Sequence, residues 1–408
     1  MALEALKGWT STQRHVVAAS YLGWTLDAFD FLQLTYVAKD VAASFNTNAK
    51  AIGLALTLTL VLRPLGAFVF GRLADRFGRR PILQLDVLLY SVFAFASAFS
   101  PDLTTFLVLR CLFGFAMGGE WGIGASLTFE HVQPKARGFV SGLLQTGYPT
   151  GGLIAAGVTA LFLEQYGWRV CMMASAIPAL LVLYIRTKVP ESPSWASAAP
   201  KRDNTWAVIQ KHGGLAIFAI LLMAGFNSLS HGTQDFYPNF LRVQLNFDAR
   251  LASTIAMFGS IGAICGGLTF GLLSERIGRR RAITAATILF LPAVPLWVFL
   301  AHTPVPLAAG VFVAQFMVQG AWGVVPAHLN ELSPADARAT FPGFVYQFGN
   351  LLAAGIGYLQ GALVEDFSWS YSLTLATVGV AAALFIMLMV NLGPEAKGVA
   401  MGVAAAPE

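Results

Sequence analysis

Residues 227–235, "NSLSHGTQD", lie between the apolar stretches "IFAILLMAGF" and "FYPNFL". An ionisable side chain at bilayer depth costs roughly 2.5 to 3.5 kcal/mol on insertion scales, so each needs a partner or a water-filled cavity. At 100° per residue Asn227, Ser230, His231, Gln234 and Asp235 fall within an arc of about 140°, one face of a helix. His231 and Asp235 stand four apart and can touch. Burial opposes the charged form of each while their attraction favours it, so a small change in hydration can move a proton within the coupled pair. The alternative is that His231 braces helix packing through a hydrogen bond, as polar side chains do in bundles.

Other polar residues interrupt apolar runs elsewhere. Asp27 and Asp30 stand three apart in "GWTLDAFDF". Arg63, in "LTLVLRPLGAF", carries a permanent charge and a fork of donors that suits a carboxylate, or else pairs with Asp27, Asp30 or Asp40. Gln347 and Asn350 share one face and can donate to a carboxylate and to a hydroxyl or keto oxygen without adding charge. Gln145 and Tyr148, in "GLLQTGYPTGG", are candidates for the same lining, and Gly142, Gly147, Gly151 and Gly152 there allow helices to approach closely. Arg110 and Glu120 are ten residues apart, too far to pair directly along one helix.

The elements that must position these groups are membrane helices. Of 408 residues, 56% are hydrophobic and only 12% charged, against about 25% charged in soluble domains. Apolar runs long enough to cross about 30 Å of hydrocarbon recur twelve times. The expected spans are 16–37, 50–72, 81–100, 103–126, 138–161, 168–187, 214–238, 250–272, 282–300, 304–328, 339–362 and 370–391. They are far longer than barrel strands and cannot leave backbone groups unpaired in lipid, so the fold class is all-α.

With the N-terminus inside, the cytoplasmic segments hold 19 of the 26 Lys and Arg, the opposite side holds five, and Arg63 and Arg110 lie within spans. This asymmetry places both termini in the cytoplasm of a cell-membrane protein. The net charge of +5 is therefore a topology signal and does not point to nucleic acid. "MALEALKGWTSTQRH" has no cleavable signal pattern. Cys111, Cys171 and Cys265 fall in predicted helices without metal-ligand spacing and are expected to be reduced packing residues.

The chain is duplicated. "GRLADRFGRR" at 71–80 returns as "GLLSERIGRR" at 271–280, and Trp121, Glu130, Arg137, Gly142 and Trp168 recur 201 residues later as Trp322, Glu331, Arg338, Gly343 and Trp369. An even number of spans per repeat gives two six-helix bundles of the same orientation, related by an axis along the membrane normal. The expected division is 1–190, a linker 191–212, a second bundle 213–392 and a cytoplasmic tail 393–408. Adding 201 to Asp30 gives 231, so Asp30 and His231 are expected to face a central cavity from opposite sides.

The duplicated loop resembles the signature between the second and third helices of the major facilitator superfamily. Gly71 and Gly78 are read as turn formers, Asp75 as a cap or partner at a neighbouring helix end, and Arg76, Arg79 and Arg80 as cytoplasmic. The arginines either set topology alone or belong to a cytoplasmic latch that stabilises an outward-open state. "RCLFGFAMGGEWGIGAS", "GFVSGLLQTGYPTG" and "PESP", with "GWTLDAFDF", resemble the sialate:proton symporter family. Within it "NSLSHGTQD" is similar to the helix-seven signature of the Jen-type lactate and pyruvate permeases, with Asn239 standing where that pattern has Thr.

The resemblance implies a proton-coupled symporter of small monocarboxylates such as lactate or pyruvate, working by alternating access as a monomer in the lipid bilayer. It implies substrate contacts at Arg63, His231, Gln347 and Asn350, and proton transfer at Arg110 by superfamily analogy. Asn227, Ser230 and Gln234 are read as neutral ligands, and His231, Asp235, Asp30 and Asp27 as the groups that carry the proton. Sialic acid or another organic or aromatic acid is the alternative cargo, and a carboxylate-sensing transceptor a further one. The chain is not expected to be an enzyme or to hold a cofactor or metal, since it lacks HExxH, a histidine cluster and GxxxxGK[ST].

Overall fold

The structure, a computed structural model, describes residues 8–47, 49–196, 205–399 and 401. Residues 197–204 of the expected linker, including Lys201 and Arg202, and 402–408 of the expected tail lie outside them. Helices dominate in chain order: α1 (Ser11–Ser44), α2 (Ala49–Phe77), α3 (Arg79–Ser97) and α4, in two pieces, Leu103–Met117 and Glu120–His131. Next, α5 is Arg137–Gln145 with 147–166, and α6 is 168–173 with Pro178–Lys188. The second half holds α7 (Thr205–Gln234), α8 (Ala249–Ile277) and α9 (Arg279–Val298). It ends with α10 (Pro304–Trp322 and Val325–Leu332), α11 (Thr340–Ala353 and Ile356–Glu365) and α12 (Tyr371–Leu392).

Local chemistry explains the boundaries. Thr10 caps α1 through a reciprocal capping box with Gln13. Asp102, Asp248 and Ser370 accept backbone N–H bonds at the starts of α4, α8 and α12. At Gly78 and Gly278 the chain turns between consecutive helices with φ of 107° and 97°, a region that costs L-residues strain. Gly71 has another function than the turn expected of it. It lies inside α2, where an added Cβ would stand 2.6 Å from Thr340 Cα, so it permits close approach to α11.

Eight helical stretches among the described residues are long and apolar enough to cross a membrane, and one of them, Pro134–Lys188, contains both α5 and α6. The turn at Gly167, with φ 76°, divides that stretch. The other three crossings escape a pure hydropathy criterion for physical reasons: α1 and α3 carry buried carboxylates, and α11 carries the amides Gln347, Asn350 and Gln360. Large apolar side chains such as Leu161, Leu180, Leu183, Ile217 and Leu388 cover the outer surface, as a lipid-facing exterior requires. This is a multi-pass membrane fold of two six-helix bundles. Helix α7 starts earlier than the expected span and takes in residues 205–212 of the expected linker.

The bundles meet at the face that carries the duplicated loops, the basic face. There Gly122 of α4 stands against Gly343 of α11, where an added Cβ would lie 2.6 Å from Gly343 Cα. Gly142 of α5 likewise abuts the Gly267 carbonyl of α8, at 2.4 Å from an added Cβ. Ser141 accepts a bond from Ala327 N at 3.0 Å. Among the described residues, the hydrogen bonds and ion pairs named between the halves lie on this face, and the opposite ends of α5, α7 and α11 stand apart.

Candidate binding site between the halves

Helix α7 delivers the expected polar face, and the central contact forms. His231 Nδ1 stands 3.1 Å from Asp235 Oδ2, while its Nε2 stands 3.4 Å from Asn350 Oδ1 of α11. The two side chains are 37% and 46% exposed, so the pair opens into a wet gap. Gln234 donates to Gln315 of α10 at 3.0 Å, and Gln315 donates in turn to Thr233. Asn227 is buried and donates to the Met223 carbonyl of its own helix at 2.8 Å. One of its two amide N–H groups is thus used within the helix, which leaves Asn227 a single donor for an anion. Ser230 is half-buried beside it.

From the first half come Arg63, Tyr148 and Gln145. Arg63 is buried on α2, with Nη2 at 4.0 Å from Asp27 Oδ1 and in contact with Met117 Sδ, and its guanidinium lies 4.7 Å from the Phe31 ring centre. The long contact to Asp27 leaves donors free, and Nε has no partner. Tyr148 is 38% exposed and within electrostatic range of Arg63 and of Asp235 on the other half. Gln145 accepts from Trp121 Nε1. Gln347 of α11 is buried with neither amide atom bonded, one turn from Asn350.

Asp30 departs from expectation. Its carboxylate is sealed from solvent, with the Ser175 hydroxyl, Arg110 and Asp27 as its neighbours. His231, its counterpart in the repeat, is open. The offset relates positions along the two chains, but α1 is packed against its own bundle at Asp30 while α7 at His231 borders the gap. Asp27 is also fully buried.

An aromatic floor went unread in the sequence. Tyr346 of α11 lies between Trp121 of α4 at 4.7 Å, Trp322 of α10 at 5.9 Å and Trp24 of α1 at 6.2 Å between ring centres, and Trp24 also meets Tyr148. The indole N–H groups of Trp24 and Trp322 are buried without acceptors. Trp121 and Trp322 were legible as a repeat pair, but that they enclose Tyr346 needs the packing. Gln315 and Asp86 were missed although each is a polar side chain in a predicted span, the signal that singled out the others.

At the basic face Asp75 accepts from Ala339 N at 3.0 Å, Thr340 N at 3.1 Å and Thr340 Oγ1 at 2.6 Å. Its repeat counterpart Glu275 accepts from Gly138 N of α5. Arg79 is buried rather than merely cytoplasmic, bridging Asp75 and Glu130 at 3.2 Å each, and Arg279 holds Glu275 and Glu331 at 2.9 and 2.8 Å. Arg80 donates its backbone N–H to Glu191 and a side-chain N–H to the Arg186 carbonyl. Arg76 is exposed. Of the cysteines only Cys171 is buried; Cys111 is half-buried and Cys265 exposed, so the packing role expected of all three fails at Cys265.

Two six-helix bundles, closed on one membrane face and parted on the other around a buried cation and a His–Asp pair, define a secondary-transporter architecture rather than an enzyme. The chain belongs to the Major Facilitator Superfamily, whose family model matches residues 16–268 and 235–404. It is 28% identical over 97% of its length to a probable 4-methylmuconolactone transporter of Cupriavidus pinatubonensis, covering 94% of that protein. It is 29% identical over 85% of its length to a carboxylic acid transporter protein homolog of Saccharomyces cerevisiae, covering 61% of that protein. The sialic acid transporter NanX of Escherichia coli is 26% identical over 95% of this chain and 96% of its own. In fold the chain is similar to the proton:xylose symporter XylE, with a TM-score of 0.78 over 95% of this chain and 97% of that one at 18% identity.

Proposed function

We propose that the protein is a proton-coupled symporter of small organic monocarboxylates in the cell membrane, with lactate and pyruvate as the first cargo to test. The observation that carries this is His231, which contacts Asp235 and Asn350 at once in the gap between the halves. The pair can take or release a proton where a neighbouring amide can hold an anion. Arg63 supplies the fixed positive charge for the carboxylate, and Asn350, Gln347, Gln145 and Tyr148 are the neutral or hydroxyl partners. Gln234 and Ser230 position the lining, and Asn227 supports α7.

The basic face is cytoplasmic in this reading, with both termini inside, and the gap opens outward. Asp75 and Glu275, with Gly71, Gly78, Arg76, Arg79 and Arg80 around the first of them, form the latch that holds this state. A proton moving with an anion reduces the charge in the closing cavity, which lowers the cost of sealing it from water on both sides. The bundles 1–190 and 213–392 then rock about the gap, with 191–212 linking them. Protein partners and cofactors play no part, and one chain suffices.

The floor of Trp24, Trp121, Trp322 and Tyr346 favours a second reading, in which the acid is planar and conjugated and lies against indole faces. The relatives named for muconolactone and for carboxylic acids fit either reading. Uptake into proteoliposomes driven by an imposed pH gradient tests them together. Lactate and pyruvate entry supports the first, entry confined to benzoate-like or muconate-like acids supports the second, and entry of neither overturns both.

A further inference from the structure

The first half buries more charge than the gap uses. Four carboxylates, Asp27 and Asp30 on α1, Asp86 on α3 and Glu120 on α4, are sealed from solvent together with two guanidiniums, Arg63 on α2 and Arg110 on α4. Among the described residues, both oxygens of Asp27 and Asp86 and one oxygen of Glu120 have no hydrogen-bond partner, nor do the three guanidinium nitrogens of Arg110. The Arg110 cation lies 4.1 Å from the Phe113 ring centre. Fully ionised, these six groups would carry a net charge of minus two in a medium where each uncompensated ion costs several kcal/mol.

Asp86 and Glu120 meet where α4 is broken. The helix stops at Met117 and restarts at Glu120. An added Cβ at Gly119 would stand 2.9 Å from Asp86 Oδ1, and one at Gly23 of α1 would stand 2.2 Å from Glu120 Oε1. Two glycines thus make room for two carboxyl groups. Tyr90, one turn after Asp86 on α3, is buried with an unpartnered hydroxyl, and its electrostatic neighbours are Glu120, Asp30, Asp27 and Asp86. Asp86 is within electrostatic range of Glu120 and Asp27, and Glu120 of Asp27, while Asp27 Oδ1 stands 4.0 Å from Arg63 Nη2. Between the two pieces of α6 the Ser175 hydroxyl lies beside Asp30. Arg63 and Arg110 are the cations in this set, and the charged neighbours of Asp86 are the carboxylates Glu120 and Asp27.

We propose that Asp86 and Glu120, seated against the Gly118–Gly119 break of α4, form a second proton-binding site that exchanges protons with Asp27 beside Arg63. This deepens the transport reading and rests on it for its role. When an arriving carboxylate engages Arg63, Asp27 loses part of its counter-charge and accepts a proton from the pair; when the anion leaves, the proton returns. Each step moves one proton between carboxyl oxygens, so charge balances without a further reactant. A metal ion fits less well, because among the described residues no three His, Cys, Asp or Glu groups converge as ligands.

Infrared spectroscopy of the purified full-length protein in lipid nanodiscs reads protonated carboxyl groups directly. Wild type is expected to show a buried-carboxyl C=O band at neutral pH that diminishes in Asp86→Asn and again in Asp86→Asn/Glu120→Gln. Identical bands in wild type and both variants would overturn the proposal, and so would loss of the wild-type band on adding sodium at constant pH. Carbodiimide labelling of wild type, which needs no variant to fold, is expected to modify Asp86 or Glu120, and absence of adducts on both would count against the site. A chain that carries no organic acid would still give the band and the adduct, so failure of the transport reading is separate.

Discussion

Asp75 of α2 caps the start of α11 across the bundle boundary, accepting from Ala339 N and Thr340 N, as Glu275 of α8 caps the start of α5 at Gly138. The two contacts are repeat counterparts 200 residues apart. Each puts a carboxylate at a helix N-terminus, where the exposed N–H groups and the macrodipole favour negative charge. Each is also lost if the bundles part at this face. Asp75→Asn keeps the shape but removes the charge, and a charged cap contributes about 0.5 to 2 kcal/mol. The equilibrium constant that favours the closed basic face should fall about 2- to 30-fold. Thiol labelling of Tyr148→Cys from the opposite face, with Cys111, Cys171 and Cys265 replaced by Ser, should fall accordingly; unchanged labelling would remove Asp75 from the latch.

Gly122 and Gly343 offer a test by sterics instead of charge. A methyl at Gly122 would stand 2.6 Å from Gly343 Cα, with backbone on both sides and no flexible side chain to yield. Gly122→Ala should force the basic face open, lowering the same Tyr148→Cys labelling and the rate of uptake. Labelling at the wild-type level would mean the bundles absorb the methyl elsewhere.

His231 and Asp235 should be required for coupling. His231→Ala or Asp235→Asn removes one member of the pair, and proton-driven uptake should fall by at least tenfold. Alkalinisation of the medium on adding the acid should disappear with it. Persistence of that alkalinisation in both variants would sink the assignment.

Arg63→Lys keeps the charge and loses the planar fork. If Arg63 binds the carboxylate, KM should rise about tenfold or more, the equivalent of about 1.4 kcal/mol. A normal KM would assign Arg63 to its Asp27 contact alone.

Outside the membrane, Asp336 carries a pH-dependent contribution to stability. Partial burial alone would raise its carboxyl, but hydrogen bonds from His212 and Lys211 outweigh it and hold the group below the usual carboxylate range. A carboxylate depressed in the folded state stabilises fully above its unfolded value of about 3.9 and loses that contribution as pH falls through the folded value. Asp336→Asn should therefore lower the thermal midpoint modestly at neutral pH, and the difference from wild type should shrink at about pH 3. An unchanged gap at acid pH would contradict the ion-pair account.

The sequence by itself determined the class of fold, because hydrocarbon admits few solutions to backbone pairing and the duplicated loops fix two equivalent bundles. It also put His231 and Asp235 within reach of each other, since side chains four apart on one helix are neighbours. It read Gly71 as a turn, when that glycine is a point of contact with Thr340. Only the tertiary structure decided which repeat-equivalent groups are wet and which are sealed. Asp30 and His231 occupy matching positions, yet one is closed inside its bundle and the other borders the gap. Solvent access depends on which neighbouring helix covers a side chain, and that is set by packing between segments far apart in sequence. The same reason hid the enclosure of Tyr346 by Trp24, Trp121 and Trp322, and the meeting of Asp86 with Glu120 at a helix break.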